Sequence, residues 1–242
     1  MFGFLVNIFD ITLYYPLFNL LVVIYNYLPG HDFGIAIIVL TIIIRVILYP
    51  LSVKALNSQR ALQKLQPQIQ EIQRKYKNDK EAQAKETLEL YKKEKINPFS
   101  GLLLALVQLP VLIALYRVFW NGLKTEELAH LYGFVANPGL INSLFLNTID
   151  LAAPNVIFAV VAGIVQFFQT KMIIPAPPKD KPAKPDFASM MQKQMVYIFP
   201  VITVVILFKL PSALGLYWIA SGIFSIVQQY FILKDKKPTP TA

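Results

Sequence analysis

The chain has 242 residues and a net charge of +9; 55% of it is hydrophobic and 15% charged, with a mean hydropathy of +0.50. That balance reads as an integral membrane protein and excludes an ordinary soluble globule. Without cysteine there is no disulfide framework, thiolate metal site or cysteine nucleophile, and His31 and His130 match no metal-ligand spacing, so neither a metal nor another cofactor is expected.

Residues 1–30 open with MFGFLVNIFDITLYYPLFNLLVVIYNYL, which is long enough to span a bilayer yet carries Asn7, Asp10, Asn19 and Asn26 and is interrupted by Pro16. An amphipathic helix on the outer face fits these residues better, with Tyr14, Tyr15, Tyr25 and Tyr27 at headgroup level; a sixth span is the alternative. No Lys or Arg precedes Arg45, so the basic start of a cleaved signal peptide is missing.

Five apolar runs of roughly the 20 residues needed to cross a bilayer follow, near 33–55, 99–121, 154–174, 195–210 and 213–233. The first transmembrane helix is assigned to 31–56, and residues 97–233 hold the other four with a cytoplasmic loop at 175–194. The last two runs are joined only by Lys209 to Ala213, which predicts a tight hairpin; a shallow or tilted pair competes.

Between the first two spans, residues 57–96 turn rich in Gln, Lys and Glu. Leu62, Leu65, Ile69, Ile72 and Tyr76, then Ala84, Leu88 and Tyr91, recur at spacings of three and four, predicting two antiparallel helices joined near Asn78 and Asp79. Pro67 is expected to kink or restart the first of them. A solvated hairpin with a packed seam and a docking arm for a partner both fit this rhythm.

Orientation follows from charge, because short cytoplasmic loops collect Lys and Arg. Placing 54–95, 171–193 and the basic tail 234–242 inside puts 19 of the 23 basic residues in the cytoplasm, with the N-terminus outside and the C-terminus inside. The positive charge therefore needs no nucleic-acid partner.

Polar residues inside the runs are the chemical signal, since lipid offers them no hydrogen bonds. At about 1.5 Å per residue, Arg45 lies roughly 18 Å below Phe33, Gln166 about 18 Å below Pro154 and Gln108 about 15 Å above Pro98. Gln169 shares the face of Gln166, and Thr203, Ser221, Ser225, Gln228 and Gln229 add polarity to the last two spans. No Asp or Glu lies within spans two to five or beside Arg45, so its guanidinium, with five donors and no acceptor, lacks an intramembrane counter-ion. Water, hydroxyls and carboxamides in a hydrated groove would satisfy it. Arg117, near the outer end of its span, is expected to snorkel; Tyr217 and Trp218 serve either as interface anchors or as cavity walls.

Three stretches carry a resemblance: IIIRVILYPLSVKALNSQRALQKLQP, INPFSGLLLALVQLPVLIALYRVF, and FPVITVVILFKLPSALGLYWIASGIFSIVQQY. Their order resembles the YidC/Oxa1/Alb3 family of membrane protein insertases, in the five-span bacterial form. Where that family commonly reads NPxxGCLP, this chain has NPFSGLLL, with Leu102 and Leu104 in the differing places.

The resemblance implies an all-α polytopic membrane protein of the bacterial plasma membrane: five transmembrane helices, an N-terminal interfacial helix and a cytoplasmic helical hairpin. It also implies a hydrophilic groove open to cytoplasm and lipid, with Arg45 at its centre, Trp218 near it and either Gln166 or Gln169 at the groove position; intramembrane polarity adds Gln108, Ser221, Ser225 and Gln228 to the expected lining. Newly made membrane proteins and the lipid bilayer are the implied partners, with the Sec translocon and the ribosome as further ones; the hairpin would capture substrate or meet the translation machinery. Insertion makes and breaks no bond, and the spans hold neither histidine nor a carboxylate pair for catalysis. A small-solute transporter or channel remains the alternative, although no inverted repeat is visible.

Overall fold

The computed structural model describes residues 2–97, 100–121, 124–173 and 187–234, and the side chains of 3–97, 106–121, 124, 126–173 and 194–232. Of the expected loop at 175–194, residues 175–186 lie outside the described residues while 187–194 are already helical, and of the tail at 234–242 only Lys234 is described; the side chains of Leu102 and Leu104 are outside as well.

Helix α1 (Phe2–Phe9) passes through a π-helical turn (Asp10–Tyr14) into α2 (Tyr15–Tyr27), so Pro16 does not interrupt the segment. A proline lacks an N–H and crowds the carbonyl four residues back. The wider turn just before it, closed by the Tyr15 N–H on the Asp10 carbonyl, absorbs that mismatch. Of the polar residues that argue against a span, Asp10, Asn19 and Asn26 find partners in the 117–142 stretch, as does Tyr14. Asp10 pairs with Arg117, and Tyr14 donates to Glu127 at 2.7 Å. Asn19 donates to the His130 carbonyl at 3.2 Å and accepts from Tyr132 N–H at 2.7 Å. Asn26 donates to the Ala136 carbonyl at 2.7 Å. These anchors run along about 24 Å of helix.

Asp32 caps α3 (Phe33–Ile47), its Oδ1 accepting from Ile35 N–H at 2.9 Å and its Oδ2 from Leu146 N–H at 2.6 Å. Leu146 lies in the turn between β1 (Leu144–Phe145) and β2 (Ile149–Asp150), a two-residue antiparallel hairpin that packs over the start of α3. A Cβ on Gly34 would lie 2.1 Å from the Phe145 ring, so only glycine fits under it.

The first span is not one straight helix to residue 56. It stops at Ile47 and turns by 64° into α4 (Tyr49–Lys75), which runs on without a boundary at 56–57. Pro50, in the first turn of α4, has no N–H to continue the ladder and would clash with the carbonyl of Val46, so the chain bends there. Pro67, by contrast, sits inside α4 and does not restart it, and Pro110 and Pro200 likewise lie inside α6 (Ser100–Asn121) and α8 (Phe187–Leu207).

Asp79 caps α5 (Lys80–Lys93), which returns antiparallel to α4. Their seam buries Leu65 and Ile69; Leu62, Ile72, Tyr76 and Tyr91 are half-buried, and Leu88 is 54% exposed and outside the seam. Burial pushes the Tyr91 phenol above its ordinary range.

Helix α7 (Val156–Ile173) packs between α8 and α9 (Ser212–Lys234). The short link from α8 to α9 is fastened to the β-hairpin loop by Ser212 N–H on the Ala153 carbonyl and Ala213 N–H on the Leu151 carbonyl. The densest core therefore lies at the end carrying the 124–153 loop, where Phe18, Phe33, Ile37, Leu115, Phe119 and Leu151 are at most 1% exposed. Large apolar side chains such as Ile157, Phe168, Tyr197, Val201 and Phe231 face outward instead. An apolar surface of that extent requires lipid around it. Gly3–Tyr27 and Val156–Ile173 are each long and apolar enough to cross a membrane, and the bent pair α3–α4 makes a third candidate; α6 and α8 show shorter apolar stretches among their described residues. The fold is an all-α membrane protein.

Candidate functional site: an arginine held by hydroxyls

Arg45 occupies the last turn of α3, three residues before the break at Leu48. A helix C-terminus presents unpaired carbonyls and a partial negative charge, which lowers the cost of a cation at that position. Its Nε donates to Ser221 Oγ on α9 at 2.8 Å, and its Nη2 reaches the same oxygen. Ser221 is held in turn by its own helix, where Ser225 Oγ donates to the Ser221 carbonyl at 2.9 Å. No carboxylate pairs with Arg45 among the described residues. Nη1 has no hydrogen bond among the described residues, and Arg45 as a whole is half-buried.

Polar residues continue from this centre along α9. Tyr217, one turn before Ser221 and 3% exposed, accepts from Gln108 Nε2 of α6 at 2.6 Å. One turn beyond Ser225, Gln228 Nε2 donates to Ser52 Oγ of α4 at 2.6 Å. On the neighbouring face, Trp218 Nε1 donates to Gln166 Oε1 of α7 at 3.2 Å. Gln169 approaches Gly222, where its Oε1 would lie 3.7 Å from an added Cβ and Val165 only 2.5 Å from it. Glycine at 222 thus sets the close approach of α7 and α9.

The structure joins Arg45 directly to Ser221 alone; Ser225 bonds the Ser221 carbonyl, and Gln108 reaches Tyr217 one turn earlier on α9. Gln166 and Trp218 form a separate pair, Gln169 lies beside Gly222, and Gln228 reaches toward α4. Tyr217, left open between anchor and cavity wall by the sequence, falls on the line 217, 221, 225 and 229 that recurs every four residues on α9. One link escapes the sequence reading. Ser52 carries no signal, because its role depends on the bend at Leu48.

Arg117, expected to snorkel, has a protein partner. It pairs with Asp10 and lies over the rings of Tyr14 and Phe9, at 4.3 and 5.7 Å from their centroids.

Two cavities open between the helices. One, of about 350 Å3, is apolar and lies between α3 and α9, lined by Ile38, Ile42 and Ile223 among others. The other, of about 380 Å3, lies between α4, α7 and α8 and is lined by Gln59, Leu62, Gln63, Gln66, Thr170, Ile173 and Met195. No group of His, Asp or Glu among the described residues is arranged to hold a metal ion.

The 60Kd inner membrane protein family model matches residues 8–239. The chain is 37% identical over 203 residues to a membrane protein insertase YidC of Fusobacterium nucleatum, covering 84% of this chain and 87% of that protein. It is 35% identical over 232 residues to membrane protein insertase YidC 1 of Halalkalibacterium halodurans, covering 93% and 79%. Against the YidC of Geobacter metallireducens it is 35% identical over 220 residues, 91% of this chain but only 36% of that longer protein. An all-helical apolar chain with an unpaired arginine at the end of α3, matched along nearly its whole length, belongs to the 60Kd inner membrane protein family.

Proposed function

We propose that this protein is a membrane protein insertase of the bacterial plasma membrane, moving apolar segments of newly made proteins from cytoplasm into the bilayer through a hydrophilic groove centred on Arg45. Its relatives in Fusobacterium and Halalkalibacterium carry that name. The observation that carries the mechanism is a half-buried guanidinium bonded to a serine hydroxyl, with no carboxylate partner among the described residues.

A client's polar or acidic tail leaves water when it enters the groove, and an unpaired carboxylate there is costly. The guanidinium of Arg45 lowers that cost, because opposite charges about 4 Å apart attract by about 4 kcal/mol at an effective dielectric constant of 20. Gln108, Gln166 and Gln169 supply carboxamides to the remainder of the tail. The apolar segment then passes into lipid, and burial of its roughly 20 residues drives the transfer to completion. No bond is made or broken.

In this reading the N-terminal helix lies on the outer face and seals the groove from that side. Its anchors on the 117–142 stretch support this, since a helix crossing the membrane would leave that stretch within a few turns. The N-terminus is then outside, and the hairpin of α4 and α5 projects into the cytoplasm, where it meets clients as they emerge from the ribosome.

Reconstitution in liposomes with single-span clients, scored by protease protection of the tail, tests the proposal. Arg45→Ala is expected to impair clients with acidic tails and spare those with neutral tails, and Arg45→Lys to retain most activity. Equal insertion of both client types by Arg45→Ala would reject electrostatic capture. Solute flux through vesicles containing only this protein would favour a transporter instead.

A further inference from the structure

Three carboxamides on one face of α4 take no part in the groove around Arg45. Gln59, Gln63 and Gln66 are half-buried, have no hydrogen bond among the described residues, and line the cavity of about 380 Å3 between α4, α7 and α8. That volume lies in the range of ligand pockets. Spaced by four and then three residues, they form a row along the helix, with about 6 Å and then about 4.5 Å of rise between them. Pro67 adds to the row. It has no N–H to give the Gln63 carbonyl, so the ladder of α4 leaves an acceptor at the middle position.

None of the side chains lining this cavity is charged. An acidic tail or a lipid phosphate would find no cation in it, and an acyl chain would leave the carboxamides unanswered. The lining suits a neutral group that both donates and accepts, as a carboxamide does. Peptide groups have that chemistry, and an extended chain repeats it at a matching interval. It rises about 3.3 Å per residue, so groups on one edge recur about every 6.6 Å, and three residues cover the row of about 10 Å. Leu62, Ile173 and Met195 set apolar surface beside the carboxamides. Met195 is 43% exposed, and its unbranched side chain adapts to differing neighbours. The cavity lies beyond the bend at Leu48 and beside the last residue of α7, at the cytoplasmic end in the orientation proposed above.

We propose that this cavity receives the main chain of an extended client segment, its peptide groups held by Gln59, Gln63 and Gln66 and its side chains lying against Leu62, Ile173 and Met195. The inference rests on the insertase reading and names the form in which a client is met: unfolded, and recognised by its backbone rather than by its charge.

The experiment uses the full chain in nanodiscs of phosphatidylcholine and phosphatidylethanolamine, with a short fluorescent peptide of Ser, Val and Gly followed by anisotropy. Gln59→Leu, Gln63→Leu and Gln66→Leu together keep the side chains near their size and are expected to weaken binding about ten-fold, the scale of a few hydrogen bonds lost. Methylating the peptide's central nitrogens is expected to weaken its binding to the unaltered chain by a similar factor and to make the triple substitution nearly silent. Exchanging two Ser of the peptide for Asp changes affinity less than two-fold. Full affinity after methylation overturns the inference, as does an unaffected triple variant or a several-fold preference for the Asp peptide. Since the chain has no cysteine, Met195→Cys with the glutamines intact gives a reading that does not depend on the triple variant folding. The unmethylated peptide is expected to slow maleimide labelling of position 195 about three-fold and the methylated one to leave it unchanged. Equal protection by both, or by neither, overturns the proposal. Protection by lysophosphatidylcholine to the same extent assigns the cavity to lipid and also overturns it. A chain that inserts clients into liposomes yet shows no main-chain preference refutes this inference alone, whereas failure to insert any client refutes the insertase reading and this inference with it.

Discussion

Arg117 and Arg45 are the same residue in opposite circumstances. Arg117 has a carboxylate, Asp10, and two aromatic faces around it, at the end where the core is densest. Arg45 has a neutral hydroxyl and an Nη1 with no hydrogen bond among the described residues, at the end where α3 and α9 expose Val46, Ile47, Ile223 and Val227. The first is a fastening whose charge is already answered. The second keeps its charge available, and only a charge not yet neutralised can act on a visiting ligand. Arg117 thus ties the N-terminal segment to α6, and Arg45 carries the proposed function.

The contrast is broken most directly at Arg45. Arg45→Ala is expected to lower insertion of acidic-tailed clients at least tenfold, a change of about 1.4 kcal/mol or more, with little effect on the thermal midpoint in detergent. Next comes the packing that sets α9 against α7. Gly222→Leu forces a side chain into Val165 and is expected to cost about 1 to 3 kcal/mol, read as a lowered midpoint and reduced insertion of every client alike.

Arg117 should behave in the converse way to Arg45. Asp10→Asn and Arg117→Gln are each expected to lower the midpoint, and the double mutant cycle to show about 1 kcal/mol of coupling, with no preference between acidic and neutral clients. A client-selective defect in Arg117→Gln would erase the distinction drawn between the two arginines. The smallest effect is expected from Tyr217→Phe, which leaves Gln108 without its acceptor. A loss of about 0.5 to 1.5 kcal/mol in stability would follow, and an effect confined to acidic clients would instead place Tyr217 in the capture step.

Much of this was legible before any coordinates. Arg45, Ser221 and Ser225 are identified by polarity in apolar frames, and the turn at Asn78 and Asp79 by its residues. The α5 seam was less so: Leu88 fits the apolar rhythm yet is exposed, because a helix of mixed Gln, Lys and Glu has no single dominant face and α4 selects one. Pro16 and Pro67 read alike as breakers, yet a π turn absorbs one and α4 continues through the other. Pro50 coincides with a bend, where α3 hands over to α4.

The amino-acid sequence by itself determined that this chain is helical, belongs in lipid, and carries a cation with no acid in its own stretch, because hydropathy and the absence of Asp and Glu are properties of local composition. Only the tertiary structure decided which arginine is neutralised. Asp10 and Arg117 are 107 residues apart and Arg45 and Ser221 are 176 apart, and pairings over such separations are set by how the helices pack.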